Sequence, residues 1–322
     1  MYVDDLVVAY SGERIRKYVW EQLSKSFNLK DLGPLQWCLG MRVKHEDGIV
    51  TLDQEQYSKS IVDLLALSDC NPVPTPLIHG HELTREMSPK TEEERRIVAQ
   101  FPYLTVVCTR PDLAVFATTM SRFAKDPGLP HIQVMKRCVR YLKGSAAFSL
   151  KFRKAPNQPH SPLQPTINGN DINCFTDASW AGCIETRKSV SGMLVYVFGN
   201  LVVWSSKQQS IVAHSTFQAE LIALDSGVRE VVWERRFLGE LGYIQSHPTV
   251  IWNDNMATIS SAYNPSVSHE RNKHIDIRYR YTAQMVSEGV CDIKYIGTKQ
   301  MVADMLTKPL PPIAFKFFSD IL

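Results

Sequence analysis

The sequence predicts an α/β protein. Its C-terminal half is predicted to form a mixed five-stranded sheet, with elements that follow one another along the chain as β-β-β-α-β-α-α-β-α. An α+β region is expected before it. Two apolar runs that read as strands end at Asp177 and at Asp254. Two further strand candidates are separated only by Gly199-Asn200, a two-residue hairpin signal. Helix-period patterns between the later strands predict parallel crossovers. A chain of 322 residues has room for two or three domains.

The first 80 residues are expected to form a mixture of strands and helices, the start of the α+β region. Residues 1–10 predict a β-hairpin whose tip carries Asp4 and Asp5, and two buried acids are costly unless they bind something positive. A plain turn explains the same pair, because Asp is common in turns. The elements predicted next are a helix (13–27), two strands (37–43 and 49–52) and a second helix (54–67).

A basic helical region follows. Residues 82–96 are rich in charge and predict an exposed loop. Two or three helices are expected from Arg96 onward, including one near Pro111 and one from His131 to Leu142. From Arg110 to Lys154 there are ten basic residues and two acidic ones. This excess fits a polyanion-binding surface or, equally, a solvated helix face.

Residues 155–170 contain four prolines and predict a semi-rigid linker between domains. After it come three strands, a long helix capped by Ser215 or Thr216 and ended by Gly242, a strand, two helices, a strand and a final helix over Lys299–Thr307. We therefore expect five segments: 1–80, 81–154, the linker 155–170, the sheet domain 171–310 and a tail 311–322.

Four carboxylates stand at the ends of predicted strands or in predicted helices: Asp177, Glu220, Asp254 and Asp304. If the strands that end at Asp177 and Asp254 are parallel neighbours, both acids lie at one edge of the sheet, where open α/β sheets place ligands. Converging acids need a counter-charge, and carboxylate oxygens suit Mg²⁺ or Mn²⁺. A pair of such ions cuts or joins phosphodiesters.

Composition excludes several other classes of protein. No apolar run approaches the ~18 residues of a membrane span, and the start is not that of a signal peptide. The seven cysteines are scattered singly without a Cys-x-x-Cys pair, which argues against zinc ribbons and redox motifs. Reduced thiols in an intracellular protein are the simplest interpretation.

Several local motifs resemble one family. They are Thr-Asp-Ala-Ser-Trp-Ala-Gly (176–182), Arg-Lys-Ser-Val-Ser-Gly (187–192), Trp-Ser-Ser-Lys-Gln-Gln (204–209), Lys-His-Ile-Asp-Ile-Arg-Tyr (273–279) and Ala-Asp-Met-Leu-Thr-Lys-Pro-Leu (303–310). Together they resemble the ribonuclease H domain of Ty1/copia-type retrotransposon Pol polyproteins. Tyr-Val-Asp-Asp (2–5) resembles the reverse transcriptase box of the same polyproteins, and segments 109–113 and 140–144 resemble the region between.

The resemblance implies Mg²⁺-dependent hydrolysis of RNA in RNA–DNA hybrids, with Asp177, Glu220, Asp254 and Asp304 as catalytic ligands of two ions, Mn²⁺ being an alternative metal. Asp4 and Asp5 would be metal ligands of a polymerase site. The expected partners are the hybrid and other parts of a Pol polyprotein, in the cytoplasm (virus-like particle) or nucleus. Candidate nucleic-acid contacts are Arg187, Lys188, Ser205, Ser206, Lys207 and Gln208 in the sheet domain and Lys136, Arg137, Arg140 and Lys143 in the basic region.

Three departures from the family pattern affect these expectations. The sequence starts at the Tyr-Val-Asp-Asp box, so we expect a partial reverse transcriptase palm, thumb and connection without polymerase activity. Gln218 replaces the first of two family glutamates, and the catalytic role is carried to Glu220. No His occurs between Ile296 and Asp304, where many cellular ribonucleases H have one.

Two other functions compete with the nuclease. A catalytically dead remnant could bind nucleic acid through its basic region, although all four acids are retained. An integrase-like transferase would share the fold but places a Glu on a late helix, whereas here the late acid is Asp304 and the Glu is in the first long helix.

Overall fold

The computed structural model describes residues 6–99, 109–154, 172–264 and 273–322. Its N-terminal sheet has four antiparallel strands in the order β1-β2-β3-β4. They are β1 (Trp37–Cys38), β2 (Met41–Glu46), β3 (Ile49–Asp53) and β4 (Ser149–Arg153). Because β4 follows the helical region yet pairs with β3, this sheet joins residues about one hundred positions apart.

Five helices accompany this sheet: α1 (Glu13–Leu23), α2 (Glu55–Leu64), α3 (Glu92–Ala99), α4 (Ala114–Ser121) and α5 (Leu129–Ser145). The hairpin predicted for residues 1–10 is wrong in its described half, because Leu6 to Tyr10 form no strand and are exposed. Asp4 and Asp5 lie outside the described residues.

The loop predicted for residues 82–96 is also wrong, since α3 begins inside it. The hydroxyl of Thr91 accepts a hydrogen bond from the Glu94 amide at 3.2 Å, and the Glu94 carboxylate accepts from the Thr91 amide at the same distance. This reciprocal pair is a capping box, which satisfies two amides that a helix start leaves free.

The second sheet is the predicted five-stranded mixed sheet, in the order β7-β6-β5-β8-β9. Its strands are β5 (Ile172–Ser179), β6 (Val190–Val197), β7 (Asn200–Gln208), β8 (Thr249–Asn253) and β9 (Cys291–Tyr295). The first three form an antiparallel meander, and β5, β8 and β9 run parallel. The hairpin turn is one residue earlier than predicted: Val197 pairs with Asn200, and Phe198 and Gly199 have φ of 48° and 76°.

The helix α6 (Thr216–Glu240) crosses one face of this sheet. The Ser215 hydroxyl caps it by accepting from the Gln218 amide, and Gly242, at φ 88°, follows its end as predicted. A Cβ on Gly227 would stand 2.4 Å from the Thr176 side chain, so glycine is what lets α6 approach β5 this closely.

The segment after β9 differs from the prediction. Instead of one helix over Lys299–Thr307, it forms two 3₁₀ turns, Thr298–Gln300 and Val302–Leu306. The segment expected to be a tail contains the helix α9 (Pro312–Ser319), which buries Phe315 and Phe318. Pro312 starts that helix, a position where the missing amide costs nothing. The described residues also form the helices α7 (Met256–Tyr263) and α8 (Lys273–Ser287).

The two faces of the five-stranded sheet pack against different parts of the chain. One face packs against α6, α7 and α8 around Val195, Leu224 and Ile251. The other shares a core with the basic helical region and α9. Its buried members include Leu113, Tyr141, Leu142, Leu150, Phe175, Leu194, Met301, Met305, Leu306 and Phe315. A helix that spans a bilayer has to be long and apolar, and none of the helices in the described part of the chain meets that requirement.

Candidate active site

Three carboxylates meet at one edge of the five-stranded sheet. Asp177 lies near the end of β5, and Asp254 directly follows β8, the parallel neighbour of β5. Glu220 lies in the second turn of α6. One ligand oxygen from each of the three lies within 4.8 Å of the other two. The predicted convergence of these acids is therefore present in the fold, although their catalytic role stays a prediction.

Asp177 is buried and sits opposite Gly192 in the β5–β6 register. Its carboxylate accepts a hydrogen bond from the Thr307 hydroxyl at 2.7 Å. A Cβ on Gly192 would stand 2.7 Å from the carbonyl oxygen of Ala303, so this glycine admits the 3₁₀ turn that carries Asp304. Burial and the neighbouring charge of Asp304 raise the pKa of Asp177, and the bond from Thr307 only partly offsets them.

Glu220 is held by two donors. Its oxygens accept from the backbone amide of Ala178 and from the side-chain amide of Asn253, both at 3.2 Å. Burial and then the charge of Asp177 raise the pKa of Glu220. Gln218 stands where the family has the first of its two glutamates. Its side-chain oxygen instead accepts from the His214 amide. Gln218 thus supports the start of α6, and Glu220 takes the place among the acids.

The other two acids have partners on the segment after β9. Asp254 is half-buried and accepts from the Thr298 hydroxyl at 2.7 Å. Asp304 is buried, and its Oδ1 lies 2.7 Å from the Lys308 ammonium. Asp304 is not one of the three acids within 4.8 Å, but its charge acts on Asp177.

The three carboxylates Asp177, Glu220 and Asp254 fit a divalent metal ion as its ligands. The chemistry of the set is three carboxylates on hard oxygen atoms, two of them buried. Desolvation and mutual repulsion raise the pKa of Asp177 and of Glu220, which means that the folded site resists carrying all its negative charge without a cation. A divalent ion bound there would supply that charge.

The sequence is similar to retrotransposon polyproteins over its whole length. It is 35% identical over 332 residues to the retrovirus-related Pol polyprotein from transposon TNT 1-94 of Nicotiana tabacum, covering 100% of this chain and 24% of that one. It is 31% identical over 322 residues to the Pol polyprotein from transposon RE2 of Arabidopsis thaliana, covering 99% and 21%. The chain belongs to the Ty1/copia-type retrotransposon Pol family.

Two further comparisons apply to parts of this copia-type chain. Residues 1–79 match the family model described as reverse transcriptase (RNA-dependent DNA polymerase). The structure of LC11-RNase H1, isolated from compost, aligns with 43% of this chain and 93% of that one, at 18% identity and a TM-score of 0.33. The copia-type chain spans between a fifth and a quarter of the two polyproteins it matches.

The candidate contacts in the sheet domain lie on β7 and on the loop after β5. Arg187 and Lys188 are on that loop, and the Glu185 carboxylate on the same loop accepts from the backbone amide of Arg85. Lys207 is exposed on β7. On the same strand the Ser206 carbonyl accepts from Thr118, and Gln208 donates to Thr186 at 3.5 Å, while Ser205 is half-buried. Whether these residues touch nucleic acid stays a prediction.

The basic side chains of α5 hold a neighbouring loop. Arg137 donates to the Thr75 hydroxyl at 2.9 Å, Arg140 to the Asn71 carbonyl at 2.8 Å and Lys143 to the Cys70 carbonyl at 2.7 Å. Lys136 is exposed. Phosphate contact by these four residues stays a prediction, and the bonds of Arg137, Arg140 and Lys143 show that their side chains already bind protein acceptors.

Sequence reasoning missed four residues around the acids: Asn253, Thr298, Thr307 and Lys308. Thr307 and Lys308 lie inside the 303–310 motif, so a signal for them was present. Asn253 directly precedes Asp254 at the strand end, where a buried amide has to find a partner. Thr298 carries no local signal, because its bond to Asp254 depends on how the segment after β9 folds.

Proposed function

We propose that this chain hydrolyses the RNA strand of RNA–DNA hybrids with Mg²⁺ as its metal, Mn²⁺ being able to replace it. The observation that carries the proposal is the group that Asp177 and Asp254, at the carboxyl ends of parallel strands, form with Glu220 on α6. Open α/β sheets place their ligands at this edge. Membership of the Pol family supports a nucleic acid as the ligand.

The side chains divide the work as their contacts suggest. Asp177 and Asp254, fixed by Thr307 and Thr298, would hold the metal, and Asp304 would complete a second position beside Asp177. Glu220, fixed by Asn253, would be a further metal ligand and would help to place the attacking water. When bound, a pair of divalent ions activates water and stabilises the charge on the leaving oxygen.

Recognition of the hybrid would use the surface beside this edge. Arg187, Lys188 and Lys207 suit phosphates, and the short side chains of Ser205 and Ser206 suit the 2′-hydroxyl that distinguishes RNA from DNA. Gln208 could serve either purpose through its amide. Other parts of a Pol polyprotein are proposed as further partners.

The test is cleavage of labelled RNA in hybrid, duplex DNA and duplex RNA, with Mg²⁺ or with EDTA. The unmodified protein should cut hybrid only, and only with metal. Asp177→Asn should abolish cleavage while the fold persists, because it removes a charge and a strong ligand at constant volume. Glu240→Gln is the matched control: Glu240 is exposed on the same helix as Glu220, about 30 Å further along it.

The assay also decides between the nuclease and a dead remnant. A folded wild-type protein that binds hybrid but cuts none would leave only binding. Equal rates for Asp177→Asn and the wild type would remove the metal-site assignment. The expectation that the chain extends no primer also stays a prediction, since Asp4 and Asp5 lie outside the described residues, and template-dependent extension by the purified protein would contradict it.

A further inference from the structure

One short segment supplies a donor to three of the four acids. Thr298 donates to Asp254, Thr307 to Asp177 and Lys308 to Asp304, each at 2.7 Å. The two threonines are neutral and leave the charge of the carboxylates unchanged. Lys308 differs from them because it brings a full positive charge into the cluster.

The surroundings of Lys308 distinguish it from an ordinary surface ion pair. Its side chain is 43% exposed, but that of its partner Asp304 is only 10% exposed. Burial alone lowers the pKa of Lys308, yet the bond to Asp304 and the charges of Asp304, Asp177 and Asp254 outweigh it and raise the pKa. The ammonium is therefore attracted by three acids of the cluster, and its charge offsets part of their mutual repulsion.

We propose that Lys308 is the internal counter-ion of the metal-free site and that it competes with a divalent ion for Asp304. The proposal rests on the proposed function, because it assumes that the cluster binds metal. An ion that takes Oδ1 of Asp304 as a ligand must displace the ammonium from that oxygen. Lys308 would thus stabilise the empty site and weaken metal binding at Asp304.

The competition predicts that removing the charge of Lys308 destabilises the metal-free protein and favours the Mg²⁺-bound one. Lys308→Gln should lower the melting temperature in EDTA, since the acids lose a counter-charge. The same variant should bind Mg²⁺ about two- to five-fold more tightly, because a pair that is partly exposed contributes up to about that factor. Lys308→Arg keeps the charge and should restore the wild-type melting temperature and affinity.

The chain offers a matched control in Lys316 on α9. Lys316 and Asp320 also form an ion pair four residues apart, at 2.9 Å, but both side chains are more than half exposed. Lys316→Gln therefore removes a similar pair away from the acid cluster. Its Mg²⁺ affinity should equal that of the wild type.

The experiment is calorimetric titration with Mg²⁺ alone, without nucleic acid, on the full chain and the three variants, together with melts in EDTA. Tighter binding by Lys308→Gln, restored in Lys308→Arg and absent in Lys316→Gln, supports the proposal. Unchanged or weaker binding by Lys308→Gln overturns it alone. A wild-type protein that binds no Mg²⁺ overturns the proposed function with it. If Lys308→Gln unfolds in EDTA, Mg²⁺ should refold it, and failure to do so also overturns the proposal.

Discussion

Asn253 shows how one side chain fixes the position of a catalytic candidate. It is fully buried, and its amide donates to Glu220 at 3.2 Å and to the Thr176 carbonyl at 3.2 Å. Its oxygen accepts from the Asn255 amide at 2.9 Å, where the chain turns into α7. Asn253 therefore links the end of β8 both to β5 and to the acid on α6. We infer that it is a positioning residue for Glu220.

Asn253→Asp tests that role at nearly constant volume. The variant replaces a donor with an acid next to Glu220, so it adds repulsion and leaves buried acceptors unpaired. We expect a loss of about 1–3 kcal/mol in the free energy of unfolding and at least a ten-fold lower cleavage rate. Raising the pH or the Mg²⁺ concentration should restore part of the rate. Asn28→Asp, at an exposed position, should change neither quantity, and equal behaviour of the two variants would contradict the assignment.

His131 links stability to pH through its burial. It is fully buried beside Phe123, and its Nδ1 accepts from the Gly128 amide at 2.9 Å, which caps the start of α5. Burial lowers the pKa of His131, and the charge of Arg122 acts in the same direction, while the Thr84 backbone and Glu185 oppose it. The folded state therefore favours the neutral imidazole, and the Gly128 amide disfavours a proton on Nδ1.

The sign of the resulting pH dependence follows from linkage. Below about pH 6.5 the unfolded chain takes up a proton that folded His131 resists, so stability falls as the pH drops. His131→Gln keeps a side-chain acceptor at this cap and cannot titrate. Its free energy of unfolding should depend less on pH between about 5 and 7 than that of the wild type. An unchanged slope would show that another group titrates.

At the scale of elements, the sequence identified what local signals encode. The runs before Asp177 and Asp254 predicted β5 and β8, and Ser215 with Gly242 bounded α6. The helix α3 was missed although its Thr-x-x-Glu capping box is visible in the sequence. The helix α9 was missed, and its residues were expected to be a tail, although a proline at the first helical position is a start signal.

Other features could not be predicted because they depend on distant partners. Pairing of β4 with β3 joins segments separated by the whole helical region. The Asn200 side chain, expected to form a turn, instead exchanges hydrogen bonds of 2.7 and 3.0 Å with the backbone of Arg153. In the same way, nothing near Arg140 indicates the carbonyl that it binds.

The helix α5 offers the clearest prediction at this scale. Because Arg140 and Lys143 bind backbone carbonyls of the loop that follows α2, Arg140→Ala should lower the free energy of unfolding by about 1 kcal/mol. Its hybrid affinity should keep the wild-type dependence on salt. Lys151→Ala, at an exposed position on β4, is the control for loss of charge. A slope smaller by about 0.7–0.9 for Arg140→Ala would show instead that it contacts a phosphate.

At the scale of the whole molecule, the basic helical region and the five-stranded sheet share one core. Leu142 on α5 is fully buried in the same cluster as Phe175 on β5 and Leu194 on β6. Tyr141 adds an edge-to-face contact with Phe315 on α9, with 5.6 Å between the ring centroids. Buried apolar contact of this kind couples the stability of the parts that make it. The domain boundaries expected from the sequence stay a prediction, and we infer that the sheet does not unfold independently of α5.

Leu142→Ala tests this coupling because the change lies outside the sheet. Truncating a fully buried Leu costs about 2–5 kcal/mol through lost contacts and a cavity. If the core is shared, amide hydrogen exchange in β5 and β6 should accelerate by a factor that matches the loss measured by denaturant. Leu64→Ala, where the side chain is 69% exposed, should leave exchange in both strands unchanged. Protection of β5 and β6 that stays at the wild-type level in Leu142→Ala, while amides of α5 lose theirs, would show that the sheet domain is stable by itself.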